Sequence, residues 1–128
     1  MFKIDGNEYD VIIPQGGIER SFSVYDTKNT ERLDNGEMFR DVLGTYYNYS
    51  VSVDGKNLSP EQYDALYELL SAPTDFHTFE MPYGQTVLIF QGYVTSGKDT
   101  YTGRVGGQNR WSGLSFNMIA KELARLPE

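Results

Sequence analysis

The sequence predicts an α+β fold that is mainly antiparallel β-sheet with one helix packed on the sheet. Apolar and polar residues alternate along most of the chain, as they do in strands with one buried face. The apolar period changes to 3.6 only over residues 59–72. Short turn-forming sequences separate the alternating segments, which favours antiparallel neighbours joined by tight turns. A lone helix in such a chain is expected to cover an open face of the sheet.

The first half of the chain contains three predicted strand regions. Residues 2–13 alternate around Gly6-Asn7, which predicts an N-terminal β-hairpin. Residues 18–26 form the next strand, and 38–53 form the longest. Between these two, residues 27–37 are polar and contain Asp34-Asn35-Gly36, which predicts a long exposed loop or extensions of the flanking strands.

The helix has clear signals at both of its ends. Ser59 is a suitable N-cap, Pro60 suits the first helical position, and Gln62 completes a capping box. Ala72-Pro73 ends the helix. The predicted apolar stripe consists of Tyr63, Leu66, Tyr67 and Leu70.

The strand pattern returns after the helix. Residues 75–81 and 86–95 flank a turn and predict a second hairpin. The Gly-rich residues 96–110 predict a long loop or flexible hairpin tip, and 111–119 predict a final strand. Residues 120–128 extend that strand or form a short helix.

Length and composition limit the possible functions. The chain has 128 residues, which predicts a single domain over residues 1–128. The absence of cysteine excludes thiol nucleophiles, disulfides and thiolate metal sites. A formal charge of −7 argues against sequence-specific or general nucleic-acid binding. No stretch is apolar enough for a membrane span, and the N-terminus does not resemble a signal peptide.

The sequence contains no convincing catalytic, cofactor or metal site. The single histidine, His77, lies in a predicted strand between phenylalanines, and we expect it to be structural or at the surface. The acidic residues Glu61, Asp64 and Glu68 lie off the apolar stripe of the helix and are expected to be solvated. Residues 103–107 contain glycines but lack the remainder of a phosphate-binding motif.

Charge and aromatic residues point instead to a protein-binding domain. Residues 54–80 contain six acidic residues and one lysine, whereas residues 96–110 contain three basic residues and one acidic residue. Aromatic residues make up 14% of the chain, more than the predicted core positions use. Tyrosine is favoured where a side chain is buried at one end and hydrated at the other, as at interfaces.

Several short motifs, taken in order, resemble those of small tail structural proteins of long-tailed phages and of prophages in Gram-positive bacteria. The resemblance is spread over nearly the whole chain. The longest motif is Leu58-Ser59-Pro60-Glu61-Gln62-Tyr63-Asp64-Ala65-Leu66. The others are Phe2-Lys3-Ile4-Asp5-Gly6, Arg40-Asp41 before the Tyr-rich strand, Ser71-Ala72-Pro73 with the strand 76–81, Tyr93-Val94, and Trp111-Ser112-Gly113-Leu114-Ser115-Phe116.

The resemblance implies a non-enzymatic part of the virion, in the tail tube, tail end or baseplate. It implies sandwich or tail-tube-like sheets, and partners that are copies of the chain, in a ring or other homo-oligomer, or other phage tail proteins. Residues 27–37 and 96–110 would then be arms between subunits. The length of the second segment departs from the family pattern. The residues expected at the interface are Arg32, Arg40, Lys98, Tyr101, Arg104 and Arg110.

Two other functions remain open at this point. One is a carbohydrate- or host-surface-binding β module, in which Tyr46, Tyr101 and Trp111 are stacking platforms. The other is a carboxylate-dependent hydrolase, which would need two of Asp64, Glu68, Asp75 and Glu80 to converge in a pocket.

Overall fold

The computed structural model describes residues 2–28, 30–32 and 34–126. Within these ranges the chain forms ten strands and one helix. The strands are β1 Lys3–Ile4, β2 Asn7–Glu8, β3 Ile18–Asp26, β4 Glu31–Arg32, β5 Met38–Phe39, β6 Val42–Val53, β7 His77–Tyr83, β8 Thr86–Tyr93, β9 Gly97–Val105 and β10 Gln108–Ala120, and the helix is α1 Pro60–Ser71.

The strands form one large antiparallel sheet and one small one. The large sheet has the order β2-β1-β7-β8-β10-β6-β3, and β9 pairs in addition with β10. Strands β4 and β5 form a separate two-stranded hairpin. The predicted mainly antiparallel α+β architecture is therefore confirmed, whereas its arrangement as a sandwich or as tail-tube-like sheets stays a prediction.

Strand β10 joins the two parts of the large sheet. Residues 114–118 pair with β6, and residues 108–116 pair with β9 on the other side. Its last residues, Ile119 and Ala120, pair with Tyr93 and Gly92 of β8. The backbones approach so closely there that a Cβ atom on Gly92 would collide with the Ile119 carbonyl.

A single hydrophobic cluster connects both parts of the sheet with the helix. Tyr49 of β6 illustrates this, because its ring stacks on Phe90 of β8 at 5.7 Å and its hydroxyl donates to the Pro82 carbonyl at 2.8 Å. The buried members are Phe2, Ile4, Tyr49, Val51, Val53, Leu58, Tyr63, Leu66, Leu70, Phe79, Met81, Leu114, Phe116 and Met118.

The helix forms as its sequence predicts. The Ser59 hydroxyl accepts from the Gln62 amide at 3.1 Å, and the Gln62 side chain accepts from the Ser59 amide at 2.9 Å. These bonds satisfy two donors that a helix N-terminus otherwise leaves unpaired. One position of the predicted apolar stripe differs, since Tyr67 is 41% exposed.

Several predicted boundaries require correction. The N-terminal turn is at Asp5-Gly6, both with positive φ, rather than at Gly6-Asn7, and its second strand is only Asn7–Glu8. A type I′ turn needs positive φ at both central positions, which shifts the turn by one residue. The predicted strand 38–53 is interrupted at Arg40-Asp41, so that Met38–Phe39 pairs with β4 and Val42–Val53 with β3.

The two predicted loops both contain strands. Residues 27–37 contain β4 of the small hairpin, and Asn29 and Leu33 lie outside the described residues. Residues 97–105 are β9, followed by a turn at Gly106-Gly107 and the start of β10, so the segment does contain a hairpin turn but is mostly strand rather than the predicted loop or flexible tip.

The C-terminal strand ends at Ala120. Of the final segment, residues 121–126 contain no helix, and Arg125 forms a bridge to Thr45. Met1, Pro127 and Glu128 lie outside the described residues. No helix in the described ranges is long and apolar enough to span a bilayer.

Candidate functional site

The most prominent surface features are two free strand edges. Strands β9, β10, β6 and β3 lie side by side in that order, and β3 and β9 are nine residues each. Among the described strands, β3 pairs only with β6 and β9 only with β10. Each therefore has one edge with backbone N–H and C=O groups directed outward.

The register identifies the outward-facing groups of β3. The Ser52 amide donates to the Gly17 carbonyl at 2.6 Å, so this pair is hydrogen-bonded. Because hydrogen-bonded and non-bonded pairs alternate in an antiparallel ladder, the backbone groups of Arg20, Phe22 and Val24 point away from β6. The Phe22 side chain at this edge is 70% exposed.

The small β4–β5 hairpin continues from the β3 edge, and it contains two of the predicted interface residues. Arg32 donates to the Gly36 carbonyl at 2.7 Å within the hairpin. Arg40 forms an ion pair with Asp26 at 2.8 Å, which joins the base of the hairpin to the end of β3.

The other four predicted interface residues lie together on the β9–β10 hairpin. These are Lys98, Tyr101, Arg104 and Arg110. The Tyr101 ring contacts Trp111 edge to face at 5.2 Å, and Arg104 donates to the Asn109 side chain at 3.4 Å. The structure thus divides the six residues between the β4–β5 hairpin and its base, which follow β3, and the β9–β10 hairpin.

The β9–β10 hairpin also contacts the acidic helix of the same chain. The Tyr63 hydroxyl donates to Asp99 at 3.0 Å, and the Gln108 side chain donates to Glu61 at 3.1 Å. Burial, and next the hydrogen bond to Asp99, raise the pKa of Tyr63 well above its usual value. The acidic helix and the hairpin that carries the basic residues are therefore neighbours within one copy.

His77 connects the N-terminal hairpin to β7. His77 is 5% exposed, and its Nδ1 lies 2.8 Å from the Asp5 carboxylate. Its Nε2 lies 3.4 Å from the Thr74 hydroxyl. Asp5 also accepts from the Thr78 amide at 2.8 Å. These contacts match the structural role expected of this histidine.

The described residues contain no group of three or more histidine and acidic side chains that could hold a metal ion. Of the four carboxylates considered for a hydrolase, Asp64 and Glu68 line a hollow of about 290 Å³ beside α1, together with Asp99 and Trp111. Asp75 and Glu80 do not line this hollow.

A groove on the face opposite the core was not predicted from the sequence. We call it the aromatic groove; its principal lining residues are Tyr25, Tyr46, Phe76, Tyr93, Ile119 and Lys121. Tyr46 was singled out as a stacking residue, but Trp111 lies eight positions from Ile119 along β10, roughly 25 Å away. The three predicted stacking residues therefore occupy two separate places.

Alternation along β6 predicted that Tyr46 and Asn48 share the more hydrated face, which is the only sequence signal for this groove. Its other aromatic residues come from segments whose positions depend on long-range strand pairing.

Comparison of the chain with known protein families, with curated protein sequences and with solved structures found no match.

Proposed function

We propose that this chain is a non-enzymatic structural protein of a phage or prophage tail, made in the cytoplasm of the bacterial host and incorporated into the virion. It assembles with copies of itself, in a ring or other homo-oligomer, or with other tail components. Two lines of argument support the proposal. One is the ordered series of short motifs along the chain, and the other is the pair of free edges at β3 and β9.

The free edges carry the assembly argument. A long strand with unpaired backbone groups is a template for pairing with a strand of another chain. Both edges also expose apolar side chains, with Phe22 and Val24 on β3 and Tyr101 and Val105 on β9. Monomeric proteins usually protect such edges with charges, bulges or short strands.

The two edges are suited to pairing with each other. They lie at opposite sides of the same four strands, so pairing β3 of one copy with β9 of the next is a head-to-tail contact. Head-to-tail contacts close into rings when the rotation between copies permits it. Glu19 of β3 and Lys98 of β9 line the same face, which would bring opposite charges together across such a contact.

The assembly proposal is tested by blocking the β3 edge. Replacing Phe22 and Val24 with lysine places charges on the free edge and keeps the ladder with β6 intact. We expect the wild-type chain to form discrete oligomers at high concentration and the Phe22→Lys/Val24→Lys variant to remain monomeric. Size-exclusion chromatography with light scattering measures the mass, and negative-stain microscopy shows whether rings form.

Ile89→Lys is the matched control. Ile89 is 62% exposed and lies on β8, which pairs with β7 at this position and takes no part in the proposed contact between β3 and β9. This variant should assemble like the wild type. A wild-type chain that stays monomeric at every concentration and binds no tail protein would contradict the proposed function. Equal loss of assembly in both variants would contradict the assignment to the edge.

A further inference from the structure

The aromatic groove lies near the end of β10, where the pairing with β6 ends at Met118 and the pairing with β8 begins at Ile119. It has a volume of about 540 Å³, within the range typical of small-ligand sites. Its floor is the end of β10, at Ile119 and Ala120. Strands β6 and β8 lie on either side of β10, about 9.6 Å apart if each spacing is that of a regular sheet.

Each side of the groove has a pair of aromatic rings. Tyr25 and Tyr46 contact each other edge to face at 5.1 Å on the β3–β6 side. Phe76 and Tyr93 contact edge to face at 6.2 Å on the β8 side. Tyr25 and Phe76 are the more exposed members, at 49% and 42%. The groove thus presents apolar ring surface from two directions.

The groove also contains polar groups that can form hydrogen bonds with a ligand. The Asn48 carbonyl oxygen accepts from the Ala120 amide at 2.8 Å, which fixes the side chain and leaves its NH₂ group as a donor. The Lys121 ammonium lies 4.6 Å from the centre of the Phe76 ring. Asp26 also lines the groove, but its carboxylate is paired with Arg40 at 2.8 Å, whereas no described carboxylate forms an ion pair with Lys121.

We propose that the aromatic groove binds a saccharide that carries a carboxylate group. The C–H faces of a sugar ring pack on aromatic rings, and its hydroxyl groups accept and donate hydrogen bonds at its edge. The NH₂ group of Asn48 and the tyrosine hydroxyls meet that edge. The ammonium of Lys121 is the one uncompensated charge among the groove residues described above, and it selects an acidic sugar over a neutral one.

The chemistry of the groove favours a sugar over an apolar peptide. An apolar segment would bury the Lys121 ammonium and the Asn48 donors without partners, at a cost in free energy. A carboxylated sugar satisfies both groups and still covers the rings. The proposal concerns a face of the sheet and is independent of pairing at the β3 and β9 edges.

The binding test uses two probes of equal length, a hyaluronan tetrasaccharide and uncharged cellotetraose. Each is titrated into the ¹⁵N-labelled wild-type chain, at a concentration at which light scattering shows only the monomer, so that contacts between copies do not compete. We expect hyaluronan to shift the amide resonances of the groove residues. Cellotetraose should bind at the same place about threefold more weakly, as expected for loss of one solvent-exposed ion pair.

Three variants assign the contacts. Tyr46→Ala and Phe76→Ala should each weaken hyaluronan binding about tenfold, the loss of one stacking contact. Lys121→Gln should remove the preference for hyaluronan and leave cellotetraose binding unchanged. Trp111→Phe, at the other end of β10, should bind like the parent protein.

The proposal is overturned if neither probe shifts any resonance, or if the shifts cluster at Tyr101 and Trp111. It is also overturned if Tyr46→Ala and Phe76→Ala bind as well as the parent while keeping its dispersed spectrum. Unfolding of either alanine variant is recognised from the spectrum, and Tyr46→Ser and Phe76→Leu then replace them in the same titration.

Discussion

The contact between Asp5 and His77 joins two segments that are 72 residues apart in the sequence. Partial burial acts to raise the pKa of Asp5, but the hydrogen bonds from His77 and the Thr78 amide, together with the charge of His77, outweigh it. The pKa of Asp5 is therefore held below its usual value of 3.8. The ionised carboxylate is the form that the folded chain stabilises.

Asp5→Asn should change how stability depends on pH. Because the pKa of Asp5 is lower in the folded state, its ionised form contributes to stability above about pH 3.8, and this contribution is lost as the pH falls through the folded-state value. The variant should be less stable than the wild type at pH 7, by about 1 kcal/mol. The difference should shrink toward pH 3. Urea unfolding at pH 7, 5, 4 and 3 measures it.

Two parallel stability curves across this pH range would contradict the role assigned to Asp5. Asp10→Asn is a suitable control, since this carboxylate is exposed and takes no part in the two described hydrogen bonds of the Asp5 carboxylate.

Features at the residue scale were predictable when the partners were close in sequence. The capping box of Ser59 and Gln62 spans three residues, so its pattern is visible in the sequence and its geometry follows from the helix. Asp5 and His77 meet only because β1 pairs with β7, and nothing in either local sequence indicates that pairing.

At the scale of elements, one hydrogen bond connects the helix to the β9–β10 hairpin. The ring of Tyr63 is buried in the core, and its hydroxyl donates a hydrogen bond to Asp99. Tyr63→Phe keeps the ring and removes the hydroxyl. We expect the free energy of unfolding to fall by about 1 kcal/mol, since a buried donor and its charged partner are separated.

Tyr67→Phe is the matched control for this prediction. Tyr67 lies one turn further along the same helix and is exposed, so the change should stay within about 0.5 kcal/mol. Chemical unfolding of both variants and the wild type compares them. Equal stability of Tyr63→Phe and Tyr67→Phe would mean that the hydrogen bond between helix and hairpin contributes nothing measurable.

Most elements were predictable because apolar residues recur with one period in strands and with another in helices. The helix was predicted correctly from its 3.6-residue period and its capping residues, and the β7–β8 hairpin and the two faces of β6 were predicted correctly from alternation. Strand β9 was not recognised as a strand because its residues are mostly polar and give no apolar alternation. Its conformation is set by hydrogen bonding to β10 across the Gly106-Gly107 turn.

At the scale of the whole molecule, the joint between the two parts of the sheet is the most tightly constrained position. Gly92→Ala places a methyl group against the Ile119 carbonyl and the Phe90 ring. Separating β8 from β10 to make room should cost about 1–3 kcal/mol. Thermal unfolding followed by circular dichroism measures this loss.

Gln91→Ala provides the comparison, because Gln91 is the exposed neighbour on the same strand. The unfolding temperature of the Gln91→Ala variant should differ from that of the wild type by no more than the small change that a surface substitution causes. If Gly92→Ala were equally stable, β8 and β10 would be less closely packed at this point than the structure indicates.

The order of strands in the sheet could not be predicted from the sequence. Strands β1 and β7 are neighbours in the sheet although more than half of the chain separates them. Strands β6 and β10 are also neighbours, although the helix and a hairpin lie between them in the sequence. Pairing between distant segments depends on which apolar faces combine in the core, and many combinations satisfy the same alternation. The aromatic groove depends on this order and was missed for the same reason.

The central position of β10 has a consequence for how the chain folds during synthesis. Residues 108–120 supply the neighbour that β6, β8 and β9 all require, so none of these strands completes its pairing until the ribosome has translated that segment. Up to that point the nascent chain exposes the apolar faces of β6 and β8. We therefore expect chaperone dependence and proteolytic sensitivity to end abruptly once this last strand leaves the exit tunnel.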